Sequence, residues 1–410
     1  MLAYIIGVVL FALAIGVAVA LHEAGHMLTA KAFGMKVRRY FIGFGPRIFS
    51  FRRGETEYGL KVIPLGGFCD IAGMTALDEV TPDEAPHAMW RYPTWKRVVV
   101  LASGSVTHFI LGLLILYVMA VSIGLLNLTD RPLVGGVAAC ASSLDPKTLS
   151  QDPCRPGDPA PAKKGGLRAG DQIVSVAGKP TPTFTAVTSI VQRSTGPTAF
   201  VVERDGHRVP LTIDVARVKG LTVAEQSRPD PSKQPLTDIG MIGVLPAKYV
   251  PYNAATAVGG TLNFTGEMFV NVWQGIKQLP NKVPSLVSAI AGAPRDPNSP
   301  MSVVGASRLG GQAVEESQWS VFWLLLATLQ FFLGVFNLLP LLPLDGGHIA
   351  VALYERVRNW FRALLGRPAG GPVDYTKLAP LTLVVVFVGG AMVLLSVTAD
   401  IVNPISLTGH

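Results

Sequence analysis

The chain has 410 residues, of which 49% are hydrophobic and only 15% are charged, and its mean hydropathy is +0.41. This balance is typical of a membrane protein rather than a soluble one. The net charge of +8 is spread along the chain without an arginine-rich arm or finger spacing, so nucleic acid is not predicted as a partner. Three scattered cysteines, Cys69, Cys140 and Cys154, are too few for a cysteine-based zinc site.

The first predicted element, residues 1–34, is a membrane helix. Leu2 to Ala20 carry no charge, and about 20 helical residues cover the roughly 30 Å apolar core of a bilayer. The helix is expected to continue to about Phe33 and to end at Gly34. A cleaved signal peptide is the alternative, because residues 18–20 resemble a cleavage site. The missing positive start and the long apolar run argue against it.

This helix contains the motif His22-Glu23-Ala24-Gly25-His26. Positions i and i+4 share one face of a helix, so both imidazoles can bind one metal ion. Glu23 is placed to take a proton from a metal-bound water. The sequence therefore predicts a zinc site within or at the end of a membrane helix.

Residues 35–97 are predicted to form a membrane-associated β-loop on the cytoplasmic side. A lysine and arginine excess in a short loop indicates the cytoplasm. Two glycine-spaced stretches indicate a small sheet or hairpin, although an ordinary loop with turn glycines would have similar spacing. The first stretch contains Gly43, Phe44, Gly45 and Pro46, and the second contains Leu65, Gly66 and Gly67.

Residues 98–127 form the second predicted span, which is interrupted only by Ser, Thr and Gly and by His108. An ionisable residue inside a span is a functional candidate by default. Hydrogen bonding between helices is the alternative role for His108.

Residues 130–217 are too polar for the membrane and resemble the PDZ domains of bacterial proteases, through a G-L-x-x-G-D-x-I-x-x-V-x-G pattern that begins near Gly165. Residues 185–192 would be the groove helix, and residues 200–207 a strand that enters an Asp-Gly turn. In this fold a peptide adds as a strand to a sheet edge. The predicted peptide groove consists of Gly165, Gly166 and Leu167.

If the first two spans cross in opposite directions, this domain is extracytoplasmic. Cys140 and Cys154 then lie in an oxidising compartment and could form a disulfide, while two free thiols remain the alternative. Cys69 would stay reduced in the cytoplasm.

The rest of the chain is predicted to return to the membrane. Residues 218–318 are expected to be a linker with a membrane-surface helix near 252–279 and a Gly/Pro/Ser-rich connection at 294–312. Residues 319–347 form the third span, which ends in a broken Pro- and Gly-rich segment. Residues 348–377 are a basic cytoplasmic loop, and residues 378–403 are the fourth span.

A catalytic zinc site usually has three protein ligands, so the two histidines need a partner. Asp345 is the distinctive candidate, because an unpaired carboxylate in this broken apolar segment would be costly. The alternative is that Asp345 only caps a helix.

An H-E-x-x-H membrane helix, an N-x-x-P-x-x-P-L-D-G segment in the third span and a PDZ domain between them resemble the site-2 proteases. The bacterial group with a PDZ insertion, which cuts anti-sigma factors, is the most similar. The resemblance makes His22, His26 and Asp345 zinc ligands and Glu23 the general base, and it implies that Asn337 helps to position substrate. It also implies that the β-loop holds the substrate extended. His108 departs from the family pattern, which often has asparagine there.

The predicted fold class is thus a polytopic α-helical membrane protein with about four transmembrane helices, a membrane-associated β-loop and an inserted α+β PDZ domain. The resemblance implies a Zn²⁺-dependent endopeptidase that hydrolyses peptide bonds in transmembrane segments during regulated intramembrane proteolysis. The implied partners are single-span membrane proteins of the anti-sigma factor type, PDZ-bound peptides or adaptor proteins, and the lipid bilayer.

The implied location is the bacterial inner membrane, with the active site toward the cytoplasm. A non-catalytic PDZ-bearing scaffold is one alternative, but a scaffold does not need Glu23. A transporter with a metal site is another, but it predicts internal repeats, and the sequence has none that we recognise.

Overall fold

The computed structural model describes residues 1–75, 77–146, 148–226, 234–296 and 299–407, without the side chains of Pro64 and Leu65. The chain is divided into two compact units. Unit 1 contains residues 1–119 and 261–410, and unit 2 contains residues 120–260. The elements that lie wholly or mainly in unit 1 are α1 (Leu2–Ala32), β1 (Val37–Arg53), β2 (Thr56–Ile71), α2 (Thr94–Ser122), α6 (Ala254–Gln278), α7 (Val283–Ile290), α8 (Val303–Glu315), α9 (Trp319–Asn337), α10 (Asp345–Leu364) and α11 (Ala379–Val402).

Four helices in the described residues are long and apolar enough to cross a membrane. They are α1, α2, α9 and the segment Tyr375–Val402 that contains α11. This agrees with the four predicted spans. The first helix ends at Ala32, and Gly34 follows with φ +81°, a conformation that glycine adopts without strain and that commonly ends helices.

The segment 294–312, predicted as a connection, is instead largely helical, because α8 begins at Val303. A Cβ on Gly7 of α1 would lie 2.8 Å from the Gly311 Cα, so the two backbones touch. Phe11 packs equally closely on Gly310. The small residues that suggested a linker are those that let membrane helices approach each other.

Strands β1 and β2 form one long antiparallel hairpin that bends back on itself. Residues 39–42 pair with residues 67–70 on one side and with residues 57–60 on the other. The hairpin packs along α1, because Tyr40 Oη donates to the Ala20 carbonyl at 2.7 Å and Lys31 Nζ donates to Tyr58 Oη at 2.7 Å. The predicted β-loop is therefore an ordered sheet beside the H-E-x-x-H helix.

The chain breaks between the third span and the helix that follows it. Helix α9 ends at Asn337, and α10 begins at Asp345. The predicted third span to residue 347 is thus too long. Within the segment 348–377, which the sequence predicts as a cytoplasmic loop, 17 residues continue α10 to Leu364. Arg356, Arg358 and Arg362 lie on this helix and Arg367 follows it. A charge count does not separate an amphipathic helix from a polar loop.

Unit 2 contains a five-stranded antiparallel sheet, two short two-stranded ladders and short helices. Its elements are β3 (Leu125–Leu126), β4 (Val134–Val137), α3 (Pro161–Lys164), β5 (Gln172–Val176), β6 (Lys179–Pro180), α4 (Phe184–Val191), β7 (Gly196–Arg204), β8 (His207–Gly220), α5 (Val223–Gln226), β9 (Thr237–Met241), β10 (Val244–Pro246) and β11 (Tyr249–Val250). The strand order of the main sheet is β6-β5-β7-β8-β9. Asp205 and Gly206, both with positive φ, form the predicted turn between β7 and β8.

The predicted domain boundary at residue 217 is wrong, because β8 continues to Gly220 and pairs with β9. The polar stretch after β8 suggested a linker, but the chain returns to complete the sheet. Strand β10 then pairs with β4 near the start of the unit. Both ends of unit 2 therefore meet in one small ladder.

Cys140 and Cys154, the pair predicted to be bridged or free, are joined by a disulfide that closes a loop in unit 2. Cys69 in the hairpin is a free thiol. Burial raises the pKa of the Cys69 thiol, so it stays neutral.

Candidate metal centre

Two imidazoles project from the second half of α1 on one face. His22 and His26 are each 7% exposed, and their Nε2 atoms are 3.2 Å apart. The i, i+4 spacing on a continuous helix produces this arrangement. Two imidazole nitrogens this close are suited to share a cation.

Asp345 reaches the same point from the first turn of α10. Its Oδ2 lies 3.3 Å from His22 Nε2 and 3.3 Å from His26 Nε2. Among the histidine, cysteine and acidic residues in the described part of the chain, these three have ligand atoms close enough together to hold one metal ion. The structure thus brings together the three residues that the sequence predicted as ligands.

The three donor atoms fit a tetrahedral zinc ion. Zinc bonds of about 2.0–2.1 Å in tetrahedral geometry place neighbouring ligand atoms about 3.3 Å apart. The observed separations are 3.2, 3.3 and 3.3 Å. Asp345 Oδ2 is also buried without a hydrogen-bond partner among the described residues, as a metal ligand would be.

The two histidines are oriented in different ways. His26 Nδ1 donates to the Val100 carbonyl of α2 at 2.7 Å, which leaves its Nε2 free for a metal. His22 Nδ1 is buried and has no partner in the described residues. The ring of His22 packs instead against the ring of His108, with 4.9 Å between centroids.

His108 is itself held by α9. Its Nδ1 donates to Gln330 Oε1 at 2.7 Å, and both side chains are at most 2% exposed. The two roles left open for His108 therefore coincide, because it bonds between helices and also contacts a predicted ligand. Gln330 was not predicted from the sequence, and a lone glutamine in a span was the signal that could have found it.

Three glycines that were not predicted shape this centre. A Cβ on Gly104 of α2 would lie 2.5 Å from His22 Cε1 and 2.5 Å from His26 Nε2. A Cβ on Gly346 or Gly347 would lie 2.2 Å from the Leu338 carbonyl oxygen or 2.6 Å from the Leu342 nitrogen. The glycines after Asp345 thus let the break between α9 and α10 fold tightly against the helix. The four-residue spacing of Gly104 and His108 was the signal for a shared face on α2.

Glu23 follows His22 on α1 and lies beside the hairpin. Its carboxyl group interacts with His22, His26 and Asp345, and the Cys69 backbone N–H hydrogen-bonds to it. A Cβ on Gly67 would come within 3.1 Å of Glu23 Cγ. Of the predicted β-loop residues, Gly67 is the one with a described contact to this side chain.

The other predicted substrate-binding residues lie farther along the same elements. Asn337 is the last residue of α9, in the break that leads to Asp345. Gly43 to Pro46 form a bend within β1, where Phe44 is 46% exposed. Gly66 packs against the Phe44 ring. Leu65 lies in β2, and its side chain is outside the described part of the structure.

Comparison with known proteins agrees with this geometry. The family model described as peptidase family M50 matches residues 10–365. The chain is 46% identical to zinc metalloprotease Rip1 of Mycolicibacterium smegmatis over 411 residues, which covers 98% of each protein. It is also 46% identical to zinc metalloprotease Rip1 of Mycobacterium tuberculosis, over 98% of this chain and 99% of the relative. Identity to metalloprotease MmpA of Caulobacter vibrioides is 28%, over 87% of this chain and 88% of the relative.

The family match, the two relatives of nearly equal length and the three-ligand centre lead to the same assignment. The protein is a zinc-dependent intramembrane protease with several membrane-spanning helices. The chain belongs to peptidase family M50.

Proposed function

We propose that His22, His26 and Asp345 hold the catalytic zinc and that Glu23 is the general base. The observation that carries this proposal is the triangle of donor atoms with edges of 3.2–3.3 Å, reached from two helices far apart in sequence. The reaction is hydrolysis of a peptide bond within a transmembrane segment.

Each group has a defined part in that reaction. Zinc supplies Lewis acidity, which polarises a peptide carbonyl and makes water a stronger acid. The Glu23 carboxylate accepts a proton from the attacking water and returns it to the departing amide nitrogen. The Cys69 backbone N–H and the backbone at Gly67 limit where the Glu23 side chain can lie.

The hairpin has a role in preparing the substrate. A helical substrate offers few free carbonyls, because its backbone oxygens accept i to i−4 hydrogen bonds. A sheet edge beside Glu23 can pair with an extended peptide and thereby expose the scissile bond. Asn337 lies in the α9–α10 break and is assigned to the same role. The hairpin residues that we assign to this role are Gly43, Phe44, Gly45, Pro46, Leu65, Gly66 and Gly67.

We assign unit 2 as a PDZ-type peptide-binding module outside the cytoplasm. Support comes from its sheet, from helix α4 and from a groove of about 210 Å³ between α4 and residues 239–245. Val187, Thr188 and Val191 line this groove from the helix side. Peptides or adaptor proteins that add a strand along residues 239–245 are the ligands that we propose.

The sequence predicts the groove at Gly165, Gly166 and Leu167, and none of these three residues lines the cavity that we assign as the groove. Leu167 is in the core of unit 2. The adjoining Asp171 is 1% exposed and accepts hydrogen bonds of 2.7 Å from Arg204 Nε and Nη2. Burial raises the pKa of Asp171, but these bonds and the Arg168 N–H outweigh it and lower the pKa overall. The G-L-x-x-G-D signature thus stabilises the domain.

The substrates that we propose are single-span proteins of the anti-sigma factor type. Because the basic residues of 35–97 and 348–377 lie between spans on one side, this side is assigned to the cytoplasm, in a bacterial inner membrane. The metal centre then lies toward the cytoplasm and unit 2 outside.

The decisive experiment compares membrane proteomes of cells with the wild-type enzyme and with Glu23→Gln. Glu203→Gln, an exposed acid on β7, is the matched control. We expect single-span proteins to accumulate uncut in Glu23→Gln cells only. Persistent cleavage in that variant would refute the role of Glu23. Metal analysis should find about one zinc per chain, lost in His26→Ala.

The groove assignment has its own test. Thr188→Arg places a long side chain in the groove, whereas Thr185→Arg changes an exposed position of the same helix. Peptides captured by the full-length protein should be lost in Thr188→Arg and retained in Thr185→Arg. Equal capture by both variants would contradict the assignment.

A further inference from the structure

Helix α10 presents a large apolar face that no element in the described residues covers. Its exposed residues recur at the spacing of one helical stripe. Their exposed fractions are between 48% and 65%, although α10 is not among the four candidate spans. They are Leu353, Tyr354, Val357, Trp360, Phe361 and Leu364.

Two contacts place α10 across the ends of the spans. His348 Nδ1 lies 3.2 Å from Tyr375 Oη, just before α11 begins. Glu355 accepts a 2.8 Å hydrogen bond from Arg97 in the first turn of α2. These attachment points are seven residues, or about 10 Å, apart along the helix. Because both spans begin there, the length of α10 between the contacts follows the membrane surface rather than its depth.

The surroundings of Arg97 have the composition of a membrane boundary. Trp90 is 41% exposed and Trp95 is 57% exposed, and both lie within or just before the first turn of α2. Lys96 lies beside Trp95, with its ammonium 5.7 Å from the ring centroid. Exposed tryptophan with lysine and arginine at a helix end is typical of the headgroup level of a bilayer. Arg97, which pairs with Glu355 of α10, therefore lies at this level.

Helix α10 and the turn after it carry four arginines and two acids. Its two acids are engaged, because Asp345 belongs to the metal centre and Glu355 pairs with Arg97. The arginines are left to face outward or toward nearby carbonyl oxygens. They are Arg356, Arg358, Arg362 and Arg367.

We propose that α10 is an interfacial helix that binds anionic phospholipid: its apolar face enters the acyl boundary, and its arginines bind headgroup phosphates. An amphipathic helix with tryptophan and phenylalanine on one face and arginines beside it has this preference. Asp345, the proposed third zinc ligand, is the first residue of this helix.

The test places a nitroxide at Val357→Cys in the full-length protein, in a Cys69→Ala background whose other two cysteines are disulfide-bonded. Nanodiscs of phosphatidylcholine with phosphatidylglycerol supply the membrane. Val384→Cys on α11 is the lipid-exposed reference, and Lys163→Cys in unit 2 is the water-exposed reference. Leu364→Cys repeats the measurement if Val357→Cys does not fold.

We expect the label on α10 to collide with oxygen rather than with a water-soluble nickel chelate, as at Val384. A label that behaves like that at Lys163 would overturn the proposal. Protection from both reagents would overturn it too, because a protein surface, such as a second copy of this chain, would then cover α10.

The anionic preference is tested by energy transfer from a fluorophore at Leu364→Cys to acceptor-labelled phosphatidylglycerol or phosphatidylcholine. Each basic residue near a lipid surface favours anionic lipid about fivefold. The double change Arg356→Gln with Arg367→Gln should therefore lower the preference by up to about 25-fold. The control, Arg193→Gln with Arg208→Gln in unit 2, should leave it unchanged. Equal transfer to both lipids in the wild-type protein would overturn the proposal.

Discussion

Replacement of Gly104 by alanine tests whether α2 shapes the metal centre directly. The added methyl carbon would lie 2.5 Å from His22 Cε1, 2.5 Å from His26 Nε2 and 2.7 Å from His22 Nδ1. Ordinary contact requires about 3.4 Å, so the rings or the helix must move by about 0.9 Å. Both neighbours are ring atoms on a packed helix, and His26 is also held by the Val100 carbonyl.

That displacement is large compared with what a metal centre tolerates, because ligand distances in zinc sites hold to within about 0.2 Å. Overpacking of this kind costs about 1–3 kcal/mol. Loss of a single outer contact to a metal ligand lowers affinity about 10–100-fold. Because Gly104→Ala disturbs two ligands together, we expect zinc affinity to fall at least about 100-fold.

The assay is competition for zinc between purified protein and a chelator, with circular dichroism to show that the helices persist. Gly16→Ala on α1 is the matched control, because a Cβ there meets nothing within 4 Å. We expect Gly16→Ala to bind zinc as the wild type does. If Gly104→Ala kept its zinc affinity within about twofold, the close packing of α2 on the two rings would have no part in metal binding.

Three further predictions follow from buried contacts. His108→Ala should speed zinc loss to a chelator about 10–100-fold, because the ring of His108 packs on that of His22, whose Nδ1 has no hydrogen-bond partner in the described residues. Glu355→Gln should lower the free energy of unfolding by about 3 kcal/mol in thermal melts, because it leaves Arg97 unpaired and mostly buried. Hydrogen bonds from the Arg38 guanidinium lower the pKa of Glu84 from 4.5 to about 2. The Glu84 carboxylate should therefore contribute stability above about pH 4.5 that is lost as the pH falls toward 2. Glu84→Gln should remove that part of an acid-unfolding curve.

Each of these predictions has a result that would contradict it. Unchanged zinc release in His108→Ala would mean that Gly104 and backbone packing alone hold the ring. A melt of Glu355→Gln that matches the exposed control Glu203→Gln would show that water compensates the arginine. An acid-unfolding curve of Glu84→Gln that overlays the wild type would assign the acid sensitivity to other carboxylates.

Local patterns predicted the membrane helices well. A chargeless run such as Leu2 to Ala20 excludes most other environments, because charge is costly in lipid. Two glycine-spaced stretches predicted the hairpin over 35–97, since turn residues are determined locally. These features depend on neighbours in sequence.

Composition alone did not predict the structure of a segment where that structure depends on contact with a distant part of the chain. The small residues of 294–312 suggested a connection, but they form α8 because α1 offers Gly7 at the matching height. The arginines of 348–377 suggested a loop without regular structure, but three of the four lie on α10. The cavity that we assign as the peptide groove of unit 2 lies along β9 and β10, which follow a polar stretch and pair with distant strands, so local sequence did not indicate it.

By itself, the sequence determined the ligand types, the face shared by His22 and His26, and the spans that carry them. Only the tertiary structure decided that Asp345 Oδ2 lies 3.3 Å from both imidazoles, and that Gly104 leaves the space in which they sit. The physical reason is the separation in sequence over which each kind of contact forms. Helical periodicity specifies neighbours three and four residues away, whereas a metal site requires three atoms within a few ångströms, which packing between distant helices provides.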